Sequence, residues 1–164
     1  MGANERQIGG DHYKTEYEHW DLVLATGMGY LEGCATKYVS RWRKKDGVLG
    51  LEKALHYVEK LRESGSLLIS RRQHPSYARG QHPSAAMFLE VEVERFVRAN
   101  DLSPTEHRII ADLVDWDDRK LMRTRGLIKR LIEQEVNPTF LFPNPKPVPL
   151  TEENHYGERA SKDN

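Results

Sequence analysis

LVLATGMGYLEGCATKYVSRWRKK, residues 22–45, is the stretch whose reading decides the fold. Taken as a strand entering a glycine-rich turn and then a helix, Gly27, Gly29 and Gly33 approach a dinucleotide-phosphate fingerprint. The third glycine falls one position late, no other strands of such a sheet can be found, and no acidic residue follows on a second strand. Taken instead as a helix end, a turn at Gly27–Gly29 and a second helix through Lys45, the stretch is continuous with helical patterns downstream. We adopt that reading, which makes the fold all-α. At about 100° per residue, Leu31, Ala35, Tyr38 and Trp42 then form one apolar stripe. Lys37, Arg41 and Lys44 share the adjacent flank, and Gly33 and Ser40 keep bulk low beside them, leaving room for a ligand.

Working outward, residues 17–26 form a short segment that reads as helix or strand, with Trp20, Val23 and Leu24 as its apolar face. Asp46-Gly47 stops the helix that ends at Lys45. From Leu51 to about Ser70, Leu51, Ala54, Leu55, Val58 and Leu61 recur at helical spacing, while Lys53, His56 and Lys60 point away. Two helices joined by so short a turn pack antiparallel. Residues 71–83 contain two His-Pro pairs and read as a linker. Ser84 caps a helix to Ala99, with Leu89, Val93, Phe96 and Val97 inward. Ser103-Pro104 with Glu106 spells a capping box, followed by Ile109, Ile110, Leu113 and Trp116. A last helix runs from about Asp117 to Val136 through Leu121, Ile128, Leu131 and Ile132. Residues 137–164 are proline-rich and then polar and read as a disordered tail, in which Phe140, Leu141 and Phe142 offer an anchor. The division is a helical domain at 1–70, a linker at 71–83, a helical region at 84–136 and the tail.

An internal echo accompanies this pattern. Glu32 and Trp42 have the spacing of Glu106 and Trp116, but Lys37, Arg41 and Lys44 correspond to Ala111, Asp115 and Asp118. If the halves are copies, the first carries ligand chemistry and the second is structural.

Composition narrows the partners. Basic and acidic residues number 25 each, so no global field draws the chain to nucleic acid or membrane, and anion binding must come from a local patch. One cysteine, Cys34, excludes an internal disulfide, suits a reducing compartment and reads as a buried, inert thiol. Neither a long apolar run nor a signal segment is present, so a soluble intracellular protein is expected. No phosphate-binding Gly-x-x-x-x-Gly-Lys-Ser/Thr loop occurs, and no zinc spacing is found, so no metal ligands are assigned, His12, His19 and His56 included. Glu52, Glu59 and Glu63 share a helix side, as in helical nucleotide pyrophosphatases, but the acidic pairs of a partner helix are missing and a salt-bridged surface is the simpler account. What remains is His12, Tyr13, Lys37, Arg41, Lys44, Lys45, Lys53 and Tyr57. Arginine forks, lysine point charges and tyrosine faces in one compact patch suit a nucleotide phosphate better than a duplex.

His12-Tyr13, Gly33, Lys37-Tyr38, Arg41, Lys44-Lys45-Asp46-Gly47, Leu51-Glu52-Lys53-Ala54 and Tyr57 together resemble the nucleotide-kinase-like family of tailed-phage proteins, over about residues 10–65. The chain departs from the usual family pattern at Cys34-Ala35-Thr36, where asparagine is common, and at the Lys45-Asp46-Gly47 turn. The resemblance implies a small helical domain, a deoxynucleotide ligand, a homo-oligomer and a role in nucleotide supply in the cytoplasm of an infected host. It also implies a phosphotransferase without a P-loop, moving phosphoryl from a nucleoside triphosphate, with or without Mg, to a deoxynucleoside monophosphate. Arg41 and Lys37 would then hold phosphates, Lys44, Lys45 and Lys53 add charge, His12 carry a proton, and Tyr13 or Tyr57 pack the base. The alternative expectation is a non-enzymatic module whose basic flank binds a host protein or single-stranded nucleic acid.

Overall fold

The structure, a computed structural model, describes residues 15–68 and 83–137. The expected leader, His12, Tyr13, nearly all of the linker and the proline-rich tail with Phe140–Phe142 lie outside the described residues. What is described is all-α: α1 His19–Thr26, α2 Tyr30–Arg41, α3 Val48–Leu68, α4 Pro83–Asn100, α5 Pro104–Val114 and α6 Asp118–Val136.

The 22–45 stretch is helix, turn, helix. Glu18 and Asp21 form a capping box that starts α1. At its end Gly27 adopts φ 67°, a left-handed conformation that glycine accepts without strain, and its N–H closes onto the Val23 carbonyl. Gly29 then caps α2. That helix ends at Arg41, earlier than the pattern suggests: the Arg41 carbonyl accepts from both Lys44 and Lys45 N–H groups, and the next carbonyl, of Trp42, is taken by Gly47 five residues on. Gly47, at φ 56°, completes the stop by donating to the Trp42 carbonyl at 2.7 Å. Ser103 accepts from the Glu106 N–H while Glu106 accepts from the Ser103 N–H, so the predicted capping box of α5 is present with Pro104 in its first turn. Asp117 caps α6 through the Lys120 N–H at 2.7 Å.

Two faces are rotated from the expected ones. In α1, Leu22 is buried with Tyr17 just before it, whereas Trp20 and Leu24 face solvent. In α2 the buried set is Glu32, Gly33, Ala35, Thr36 and Val39 with Trp42, and Leu31 and Tyr38 sit at its margin. Gly33 leaves room for α1, whose Val23 side chain would lie 3.5 Å from an added Cβ, and not for a ligand. Two polar side chains of α2 enter the core with partners: Thr36 donates to the Glu32 carbonyl, and Glu32 accepts from the Trp116 indole.

The echo is structural. Glu32, Ala35, Thr36, Val39 and Trp42 match Glu106, Ile109, Ile110, Leu113 and Trp116 at one constant offset. Leu51, Ala54, Val58 and Leu61 match Leu121, Thr124, Ile128 and Leu131 at another, and all but Trp116 of these residues are buried. The left-handed residue Gly27 is matched by Asp101, at φ 54°. Helices pack on their own counterparts, α1 on α4, α2 on α5 and α3 on α6, the pattern of a two-fold interface. Across it the pairing is reciprocal: Trp42 Nε1 donates to Glu106 Oε1 at 2.5 Å, and Trp116 Nε1 donates to Glu32 Oε1 at 2.8 Å. Both units contribute to one buried core, with Leu22, Val39, Leu51, Phe96, Ile110, Leu113 and Ile128 fully enclosed.

Candidate functional site

The face of α2 away from the core carries Tyr30, Cys34, Lys37 and Arg41, and α3 adds Lys53 and Tyr57 beside it. Tyr38, at the margin of the core, is their meeting point. The Arg41 guanidinium lies 4.9 Å from its ring centroid and the Lys53 ammonium 5.3 Å. The Tyr57 ring stacks on Tyr38 at 5.9 Å and 16°, and Tyr30 meets Tyr57 edge-on at 6.3 Å. The result is a row of three tyrosines with two cations at one end, an arrangement in which ring faces and positive charge attract each other. Hydrogen bonding to Tyr30, then to Cys34, pushes the Tyr57 hydroxyl up to about 12, so it stays a donor at neutral pH.

Arg41 is a well-enclosed cation. Its side chain is 12% exposed and it reaches the Asp46 carboxylate at 3.4 Å, which holds the fork against the tyrosine ring. Lys53 and Lys37 are half-buried and have no carboxylate partner among the described residues. Lys44 and Lys45 are exposed in the α2–α3 turn, and Lys44 Nζ approaches the Asn100 carbonyl at 3.4 Å. On the α1 side, His19 contacts Thr36 Oγ1 at 2.8 Å. Burial, then Lys37 and Arg41, lower its pKa to about 4, so a neutral imidazole borders the cationic face.

The sequence-predicted residues thus separate into groups. Arg41, Lys53 and Tyr57 converge on Tyr38, Lys37 stands beside them, Lys44 and Lys45 belong to the turn, and His12 and Tyr13 lie outside the described residues. Cys34 corrects the expectation of a buried thiol: it is half-buried, next to the Tyr57 hydroxyl. Sequence reasoning missed Tyr30 and His19 as members of the site. Tyr30 was findable, since Tyr30, Cys34, Lys37 and Arg41 follow helical spacing on one face. His19 was not, because its place depends on how α1 packs.

The second unit shows what the same position looks like without free charge. Asp112 stands where the first unit has Tyr38, and Arg123 where it has Lys53. Asp112 is buried and accepts from Arg123 Nε at 2.7 Å and Nη2 at 2.5 Å, with Arg108 Nε at 3.6 Å. Asp115, the counterpart of Arg41, is tied to Lys120 at 2.7 Å. The carboxylates that suggested a metal template are likewise surface partners, Glu59 to Arg125 at 3.1 Å and Glu63 to Lys60 at 3.2 Å. Among the described residues no group of three His, Cys, Asp or Glu side chains is placed to hold a metal ion. No described helix is long and apolar enough to cross a membrane.

Comparison with known proteins finds no matching family model, no matching curated protein and no matching solved structure.

Proposed function

We propose that the chain binds a nucleotide on the α2–α3 face, with phosphates at Arg41, Lys53 and Lys37 and the base against the Tyr57–Tyr30 end of the tyrosine row. The carrying observation is the contrast between units. One shared position holds two cations over a tyrosine in the first unit and a buried carboxylate neutralised by arginines in the second. Cations held over ring faces, with Lys37 and Lys53 lacking carboxylate partners among the described residues, suit a ligand that is both anionic and flat.

The motif resemblance extends the proposal to phosphoryl transfer without a P-loop, from a nucleoside triphosphate to a deoxynucleoside monophosphate, as part of nucleotide supply in a phage-infected cell. In that reaction the bond from the γ-phosphorus to the bridging oxygen breaks and one to an acceptor phosphate oxygen forms, releasing a nucleoside diphosphate. The chain's contribution would be positioning and charge neutralisation by Arg41, Lys37 and Lys53, with Lys44 and Lys45 adding field and His12 and Tyr13 supplied by the preceding segment.

The test is a thermal-shift and calorimetric titration with deoxynucleoside monophosphates and nucleoside triphosphates, with and without Mg. Saturating ligand is expected to raise Tm, and Arg41→Ala and Lys53→Ala are each expected to weaken binding by roughly tenfold or more, the worth of one charge-assisted contact. Absence of any shift, together with salt-sensitive retention on single-stranded nucleic acid, would replace this reading by that of a non-enzymatic binding module. Binding without transfer from any donor would remove the kinase assignment and leave the site.

A further inference from the structure

The two-fold relation between units gives every surface feature of the first an address in the second. At the address of the tyrosine–cation position, the second unit keeps one cation, gains another from a neighbouring position, carries Asp115 (tied to Lys120) in place of Arg41, and changes the group beneath. Arg123 replaces Lys53, Arg108 stands where Cys34 does, and Asp112 replaces Tyr38. The arginine side chains are 37% and 57% exposed, whereas the carboxylate behind them is 4% exposed. The carboxylate is held in two bonds from Arg123 and approached by Arg108 at 3.6 Å. Asp117, the other acidic group acting on Arg123, is occupied in capping α6.

We infer that the α5–α6 face is a second copy of the anion position, shut by the buried carboxylate of Asp112, the neighbouring Asp115 and Asp117 being engaged by Lys120 and by the α6 cap. Neutralising that group leaves two partly exposed guanidiniums, Arg123 and Arg108, beside an uncharged side chain, as Arg41 and Lys53 stand beside Tyr38, although Arg108 reaches the position from the next turn. The ligand class is a phosphate or pyrophosphate group. The inference draws its template from the proposed nucleotide site, but it concerns a different surface and is decided by a different variant.

Pyrophosphate at low ionic strength is titrated into the full-length protein and followed by calorimetry. Asp112→Asn, similar in size and able to keep part of its bonding, is expected to bind one more equivalent than wild type. Adding Arg123→Ala is expected to weaken that extra site by roughly tenfold or more. Asp118→Asn, which removes the same charge from the exposed start of α6, is expected to add none. A folded Asp112→Asn with the wild-type number of sites, or an equal gain in Asp118→Asn, would overturn the inference. Should Asp112→Asn lose its helical circular dichroism, the reverse exchange decides: Tyr38→Asp is expected to shut the first position, losing pyrophosphate binding that Tyr38→Phe keeps. If wild type binds no pyrophosphate or nucleotide while Asp112→Asn gains a site, the nucleotide reading falls and the shut copy stands.

Discussion

Removing the Glu106 carboxylate is the sharpest perturbation this architecture offers, because one group serves both units. Glu106 is 1% exposed. Its Oε1 accepts from Trp42 Nε1 at 2.5 Å and from Arg43 Nη1 at 2.8 Å, and Oε2 accepts from Arg43 Nη1 at 2.6 Å and from the Ser103 N–H at 2.7 Å. In Glu106→Ala the indole N–H, on a side chain 4% exposed, loses its acceptor at a cost of about 1–3 kcal/mol. Loss of the capping-box arm on Ser103 adds about 1 kcal/mol, by analogy with other caps. The Arg43 pair adds less than about 1 kcal/mol, since that side chain is 48% exposed and screened by water. The sum is about 2–5 kcal/mol before any cavity, in line with breaking other buried pairs. With an ordinary urea slope this moves the midpoint by roughly 1–3 M. Glu106→Gln keeps an acceptor for the indole and loses the charge and one accepting oxygen, so about 1–2 kcal/mol is expected. Urea unfolding followed by circular dichroism measures both, and a double-mutant cycle of Glu106→Gln with Trp42→Phe isolates the pair. A cost below 1 kcal/mol for Glu106→Ala, or a coupling indistinguishable from zero, would refute the claim that the reciprocal pairs fasten the two units.

Two glycines in matching units test the packing locally. An added Cβ at Gly126 meets nothing within 4 Å, so Gly126→Ala is expected to stabilise α6 by about 0.5–1 kcal/mol. At Gly50 the same atom lies 3.1 Å from Asp46 Cβ and 3.2 Å from Trp42 Cβ, so Gly50→Ala is expected to destabilise, by about 1–3 kcal/mol, in the same urea assay. The pH dependence follows from His19, which is held neutral in the fold down to about 4. The unfolded chain takes up a proton as pH falls through about 6.5 and the folded chain does not, so stability is lost between those values and levels off below. The slope is at most about 1.4 kcal/mol per pH unit, and His19→Gln is expected to flatten that part of the curve relative to wild type.

Much of the fold was legible because its signals are local. Ser103, Pro104 and Glu106 announce α5 with capping chemistry that needs no tertiary context. Hydrophobic spacing located the inward faces of α3, α5 and α6, since their exposed sides are plainly charged. It failed on α1, where apolar residues surround a helix of eight residues and only the neighbours choose between Leu22 and Leu24. It failed again on α2, where Glu32 lies inside and Leu31 does not, because the partner of Glu32 is an indole from the other unit. The site divided along the same line. Lys37, Arg41, Lys53 and Tyr57 were readable as a basic and aromatic set, but their convergence on Tyr38 needed the α2–α3 packing. Trp42, whose ring counted only as core, turned out to spend its N–H on a contact between units.

The pairing of each helix with its own counterpart also bears on how the chain reaches this state. Turn-linked neighbours such as α2 and α3 find each other through nearby residues, as in other helical proteins. The contacts that join the two units do not. Trp42 meets Glu106 across 64 positions, Arg125 meets Glu59 across 66, Tyr17 meets Glu92 across 75 and Trp116 meets Glu32 across 84. Folding rates fall as contacting residues lie farther apart in the chain. The expectation is therefore that this chain folds more slowly than a helical protein of its length built from turn-linked neighbours alone.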